Sequence, residues 1–365
     1  MTGVQDKKPR LFEISLLNVF LCILVIFIHV SSKPVSTADK ESIQYLLVMI
    51  PWRLAAFVVY GFIFLSGFKL LLSKRDNFSY GRFLLKRLIT IVIPYIIWVL
   101  VYYLYFCYIE HYFPFKISDF LGYVLRGDLV AHFYFIIIII QFYVLAPLWI
   151  MLVKKTDVTL GIVFSLAVTV ILSRNLPAII QFFNHDFVFQ YNDRVFTSYL
   201  VYWVAGCYAG KNYDKFKEIL KNNRIFITIF FIVSSVVNVF FTYYSLSGKK
   251  PINNLDEFHL IYCVSAILFF MMLFINLTSG ESALNKGAAG RFIKSVDRVS
   301  YSVYLSHVLI IFITDYILRN FPGNSLFTNY IIRLIAAYVI TISGCLLWYK
   351  MRGAVKMLFQ KGKSA

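Results

Sequence analysis

Long apolar runs separated by short polar stretches dominate the chain. A helix that crosses a bilayer needs about 20 mainly apolar residues. Ten runs qualify, at roughly 11–31, 52–72, 89–109, 132–153, 158–173, 196–210, 225–245, 258–278, 299–318 and 328–349, the fifth and sixth being short. The first continues through Phe27-Ile28-His29-Val30 with no small-residue cleavage site, so it is expected to stay as a first helix rather than leave as a signal peptide. The stretch Phe78-Ser-Tyr-Gly-Arg82-Phe-Leu-Leu-Lys86-Arg87 mixes bases with bulky apolar groups, as does a helix lying in the membrane interface before it turns into a crossing. The pattern predicts an all-α fold: a polytopic membrane helix bundle of about ten transmembrane helices, with residues 1–365 forming one integral-membrane domain and no appended soluble domain.

Composition strengthens this reading. The chain is 60% hydrophobic and 15% charged, with 37 Phe and 26 Tyr, where soluble domains sit near about 45–50% and 25%. Collagen, disorder and ordinary soluble folds are poor fits. The net charge of +18 would suggest a polyanion such as nucleic acid if the chain were soluble. The bases, however, fall in alternate loops. One set gathers Lys7, Lys8 and Arg10; Lys69 to Arg87; Lys154 and Lys155; Lys211 to Arg224; Lys286 to Arg298; and Lys350 to Lys363, and it holds more than two thirds of the 36 Lys and Arg. The positive-inside rule makes that side cytoplasmic, with both termini on it and an even number of crossings. Nearly all of the excess charge is thereby an orientation signal. No nucleic-acid partner is expected; membrane lipids are.

Polar groups inside apolar spans are costly and point to function. His29 lies near the outer end of the first span, and Asn18, eleven residues earlier, falls on nearly the same helical face. Arg10 and Glu13 mark the inner mouth. An imidazole suits a general base acting on a hydroxyl near neutral pH, while an interfacial histidine bonded to a backbone carbonyl is the plainer alternative. In the ninth span Tyr304 and His307 are three apart and so adjacent on the helix surface, and Asp315 and Arg319 are spaced as an ion pair. The Ser66-Gly67 step in the second span permits close helix approach or leaves room for a slim ligand. Lys86 and Arg87, with Arg82, could meet lipid phosphates or those of a cytosolic co-substrate. The five cysteines form no CxxC pair, which argues for packing roles and against a metal site or disulfide framework. No phosphate-binding GxxxxGK[ST] loop, Gly-x-Ser-x-Gly elbow or His-Glu-x-x-His motif occurs.

Several of these segments together resemble the acyltransferase-3 family, multi-span enzymes that acylate carbohydrates and cell-envelope polymers. They are Arg10-x-x-Glu13 with His29; Phe62-Ile-Phe64-Leu-Ser66-Gly67-Phe68; Phe83-Leu-Leu-Lys86-Arg87 leading to Pro94-Tyr95 and Trp98; His132-Phe-Tyr134-Phe135 through Pro147-Leu148; and Ser300-Tyr301-Ser-Val-Tyr304-Leu-Ser-His307. The resemblance implies a cytosolic acyl-coenzyme A donor, an acceptor hydroxyl on the outer side, and His29 as the base. It places the donor's phosphates near Lys86 and Arg87 and its pantetheine arm near Ser66, Tyr304 and His307, with Glu13 and Asn18 also on the substrate path. Two positions depart from the family pattern. Asn18 stands where an arginine is usual, and Thr90 replaces the second arginine of an RxxR pair. Both remove a positive charge expected to serve the donor.

The expected activity is therefore that of a bacterial plasma-membrane O-acyltransferase, an acetyltransferase in the first instance. It would bind no resident cofactor and use acyl-coenzyme A as co-substrate, modifying a hydroxyl of an envelope or exopolysaccharide glycan. Tyr304 or His307 would orient the thioester or hold its oxyanion. Partner proteins of glycan synthesis fit the absence of a fused esterase-like domain. A transporter of a saccharide or lipid-linked glycan, and a catalytically silent member of a glycan-synthesis complex, are the competing classes.

Overall fold

The computed structural model describes residues 11–72, 78–248, 255–279, 285 and 287–361. Of the bases named above, Lys7, Lys8, Arg10, Lys286 and Lys363 lie outside the described residues. In chain order the helices are α1 (Phe12–Thr37), α2 (Ile43–Ala55), α3 (Val58–Leu72), α4 (Tyr80–Arg87), α5 (Ile93–Tyr108), α6 (Ile117–Arg126), α7 (Tyr134–Val144) and α8 (Ala146–Lys155). They continue as α9 (Val158–Phe183), α10 (Leu200–Lys211), α11 (Tyr213–Asn222), α12 (Arg224–Leu246), α13 (Leu255–Thr278), α14 (Gly287–Leu318) and α15 (Leu326–Lys361). The described residues contain no strand. The fold is all-helical.

Among the described residues, eight helical segments are long and apolar enough to cross a membrane, and a ninth exists if α7 and α8 count as one broken span. These two helices meet at an angle of 60°. The break falls beside Leu145, just before a proline that cannot donate to the preceding turn. The expected sixth run, 196–210, forms a 3-10 turn, Phe196–Tyr199, followed by the 12-residue α10. That is short of the 20 or so residues a perpendicular crossing needs. The fifth expected span is longer than its apolar run, extending to Phe183, and α1 continues past the run's end to Thr37. The basic stretch before the third span is continuous with it. It is α4, which passes through a π-helical segment, Leu88–Val92, directly into α5 as one 29-residue span.

Outer helices are inverted relative to those of a soluble protein. Along α9 the buried positions are Gly161, Ser165 and Thr169, while Leu160, Val163, Phe164 and Ile171 are exposed. Along α12 Ser234, Asn238 and Thr242 are buried, and Ile225, Phe226, Ile229, Ile232, Val233 and Val236 are exposed. Small and hydrogen-bonding residues face protein and bulky apolar ones face outward, the arrangement expected where the surrounding solvent is hydrocarbon. The protein is a membrane protein by this criterion as well as by hydropathy.

The chain forms two compact units, one of residues 1–58 and 217–365, the other of residues 59–216. In the first, α1 packs against α2, α13, α14 and α15 and is therefore covered on several sides. Side-chain contacts of α1 with α14 rise together along the two sequences, from Ser15 with Asp297 to Lys33 with Asp315, so these helices are parallel. Contacts of α14 with α15 run oppositely, Ser306 with Cys345 and Asp315 with Arg333, so these are antiparallel. The start of α1 and the end of α15 thus share one end of this unit.

The second unit is organised by close backbone contact. A Cβ added to Gly67 on α3 would strike the Trp203 carbonyl of α10, and one added to Gly206 or Gly210 would strike the carbonyls of Phe64 or Phe68. Trp203, fully buried, stacks on Phe142 of α7 with ring centres 4.4 Å apart. All five cysteines are unbridged and four are buried.

Candidate active site

Polar residues follow the seam between α1 and α14 for most of its length. At its beginning the Asp297 carboxylate accepts from Ser15 Oγ at 2.9 Å and from Asn18 Nδ2 at 2.7 Å. Asn18 Nδ2 also lies 3.0 Å from Ser300 Oγ. A buried amide with two oxygen acceptors is well satisfied here, without the charge an arginine would bring. Glu13 is half-buried in the first turn of α1, where a carboxylate interacts favourably with the helix dipole. One turn beyond Asn18, Cys22 Sγ approaches the Ser300 carbonyl at 3.7 Å.

Farther along the seam His29 and His307 meet, their ring centres 5.2 Å apart. His307 is fully buried, whereas His29 is half-buried. Tyr304, 5% exposed, lies one turn before His307 with ring centres 6.1 Å apart. It also stacks on Tyr301. The seam therefore places Asn18, His29, Tyr304 and His307 along one polar track, as the eleven- and three-residue spacings predict. The Nδ1 atom of His307 lies 2.8 Å from the Tyr304 carbonyl and 3.2 Å from that of Val303.

Beyond the histidines three helices are tied together. Ser31 Oγ and the Tyr330 hydroxyl are 3.2 Å apart across α1 and α15. Arg333 on α15, with only 2% of its side chain exposed, pairs with Asp315 of α14 at 2.6 Å. Lys33 of α1 stands 3.7 Å from the same carboxylate. Asp315 is held from α15 and α1, by partners that spacing within α14 did not point to, and Arg319 lies over the Tyr316 ring at 5.5 Å. Burial explains the choice: a guanidinium surrounded by protein must find a carboxylate. Asp297, Tyr330 and Arg333 were missed from sequence. Arg333 carried a usable signal, one charge inside the apolar run Tyr330-Ile-Ile-Arg333-Leu-Ile. Asp297 carried none, standing among the bases at the start of α14.

The remaining site candidates belong to the second unit and stand on different helices. Ser66 on α3 is half-buried beside Gly67, at the crossing with α10. Lys86 is exposed on α4. The Arg87 guanidinium lies over the rings of Tyr143, at 4.4 Å, and Phe83, at 5.0 Å. Arg87 and Tyr143 line a cavity of about 290 Å³ whose other walls are aliphatic residues of α4, the π-helical segment and α7. Thr90 lies in that π-helical segment and turns its hydroxyl back to the Lys86 carbonyl at 2.7 Å. His132 is buried against Phe133 and Tyr102, with ring centres 4.5 and 5.9 Å away.

Comparison with curated proteins and with solved structures yields no match. The acyltransferase-3 family model, described as an acyltransferase domain, matches residues 11–350. That match takes in α1 to α14 and most of α15, including both histidine-bearing helices of the polar seam, and the chain belongs to the acyltransferase-3 family.

Proposed function

We propose that the protein is a membrane O-acyltransferase, using a cytosolic acyl-coenzyme A, in the first instance acetyl-coenzyme A, to acylate a glycan hydroxyl on the outer side of the plasma membrane. The observation that carries this reading is the meeting of His29 and His307 on a polar seam within a member of an acyltransferase family. The positive-inside rule supplies the orientation, with ten crossings counted by including the bent pair and α10, and both termini cytoplasmic. Ala38→Cys should then react with an impermeant maleimide added outside, and Lys215→Cys should not.

In the proposed reaction His29 takes the proton from the acceptor hydroxyl as the oxygen attacks the thioester carbonyl. The new C–O bond forms, the C–S bond breaks, and the departing thiolate recovers the proton from the imidazolium. Tyr304 would donate a hydrogen bond to the oxygen that gains charge, which stabilises the transition state more than the ground state. Surrounding helices would limit water and so spare the thioester from hydrolysis. Asn18 and Glu13 would contact the donor as uncharged and acidic elements of the seam.

Liposomes holding the purified protein, labelled acetyl-coenzyme A on the proposed cytoplasmic side and an envelope-glycan extract on the other test the reading. Label appearing on the glycan, and not in protein-free liposomes, is the expected result. Glycan movement without label would favour a transporter, and neither movement nor label would favour a silent member of a complex. Mass comparison of envelope glycans from cells with and without the gene would identify the acyl group.

A further inference from the structure

Arg87 carries a charge that the described residues do not balance. Its guanidinium sits in the corner between Phe83 and Tyr143, whose rings meet edge to face with centres 5.6 Å apart, and lies 5.0 and 4.4 Å from those centres. Among the described residues no carboxylate pairs with it, and its buried Nε has no hydrogen-bond acceptor. Contact with aromatic faces recovers only part of what a guanidinium loses on leaving water. Such a group favours an anionic neighbour, and its planar fork suits the oxygens of a phosphate.

The surrounding walls decide what else that anion must carry. Apart from Arg87 and Tyr143, the cavity of about 290 Å³ is walled by leucine, isoleucine and valine. Leu85, Leu88 and Val144 are exposed and extend this apolar surface outward. Lys86, next in sequence, is exposed and takes no part in the wall. Thr90 adds no charge and spends its hydroxyl on the Lys86 carbonyl. A single positive charge is thus set against hydrocarbon. A ligand with several phosphates, as coenzyme A has, would bring charges that these walls cannot match. One phosphodiester joined to a hydrocarbon chain matches both parts. The π-helical segment contributes to the wall, and such segments are rare and occur frequently at functional sites. The volume is near the lower end for small-molecule pockets, enough for a phosphodiester and the upper part of a chain.

The geometry points to a binding site for an anionic phospholipid of the cytoplasmic leaflet, with its phosphate on Arg87 and one acyl chain along Leu88. The positive-inside rule puts this basic end of the span at the cytoplasmic surface, where anionic lipids attract basic segments. The site lies wholly within the unit of residues 59–216. It is independent of the acyltransferase reading and needs no turnover to be tested.

Photolabelling of the full-length protein in nanodiscs is that test, using phosphatidylglycerol with a diazirine in its acyl chain and mapping the adducts by peptide mass spectrometry. Adducts should fall on residues 84–92 and 140–144. A phosphatidylcholine probe with the same chain, whose ammonium already balances its phosphate, should give at least about fivefold fewer there, the effect of one base near an anionic surface. Arg87→Gln should cut these adducts at least about tenfold, the loss of a charged hydrogen bond, while adducts elsewhere stay level. Neither acetyl-coenzyme A nor inorganic phosphate at millimolar concentration should compete. A smaller lipid preference, or a smaller fall in Arg87→Gln, would reduce the contact to bulk lipid and overturn the inference. Adducts lost on adding acetyl-coenzyme A would give the cavity to the donor, and adducts lost on adding phosphate would make it a free-anion site; either overturns the inference too. If Arg87→Gln does not fold, Leu88→Trp, which fills the cavity and keeps the charge, takes its place with the same expected fall.

Discussion

Two parallel helix pairs in this protein solve the same packing problem by opposite means. Where α3 meets α10, side chains are removed: Gly67, Gly206 and Gly210 bring backbone against backbone, and carbonyl oxygens occupy the places of missing Cβ atoms. Where α1 meets α14, side chains are retained and paired, with Asn18 on Asp297, His29 beside His307 and Lys33 near Asp315. Hydrocarbon offers little to drive helices together, so both small residues and hydrogen bonds serve as contacts. The difference is what remains available for chemistry. The glycine positions themselves offer no functional group, whereas a polar seam holds imidazoles in fixed positions.

Adding atoms to the first crossing should have the largest effect. Gly206→Leu would drive a side chain into the Phe64 carbonyl, which belongs to a packed helix and cannot yield cheaply. Overpacking of this kind costs about 1–3 kcal/mol and more when backbone must move, so little folded protein should survive detergent extraction and gel filtration. Normal yield and elution would show that the two helices are less closely joined than described. On the seam, Arg333→Met should cost about 3 kcal/mol, the low end for breaking a buried pair, because Asp315 retains 24% exposure and Lys33 as a neighbour. Chemical denaturation in bicelles would measure it. Asn18→Ala removes one donor from Asp297 and should cost about 1–2 kcal/mol by the same method. Lys33→Ala, at an exposed and long contact, should change stability by less than about 1 kcal/mol.

Much of this contrast was present in the sequence, though unevenly. Apolar runs locate α1, α5, α12 and α13 because the cost of leaving hydrocarbon dominates every local preference there. The same dominance hides how helices are rotated, since α12 turns Phe226 and Ile229 outward and Asn238 inward, contrary to the rule for soluble helices. Run length was a poorer guide where the chain bends. The aliphatic stretch beginning at Tyr134 reads as one crossing, but Pro147 divides it, and the run before Lys211 gives only a short helix. For the site, the periodicity of a single helix was enough to align Asn18 with His29 and Tyr304 with His307. Which helices face each other was not legible, because pairing such as Asn18 with Asp297 joins residues far apart in the chain. The Ser66-Gly67 step was ambiguous between ligand space and close approach, and Gly67 is occupied by the Trp203 backbone.

The central claim is that the α1–α14 seam carries the reaction and that His29 is its base. The most direct measurement is acyl transfer per folded molecule for His29→Ala in liposomes, with the unfolding midpoint recorded on the same preparation. Loss of a general base should lower the rate by about 10²–10⁴-fold, while the midpoint stays near that of the wild type, since His29 is only half-buried. A variant that transfers acyl groups within about twofold of the wild-type rate, far below any general-base effect, would contradict the claim.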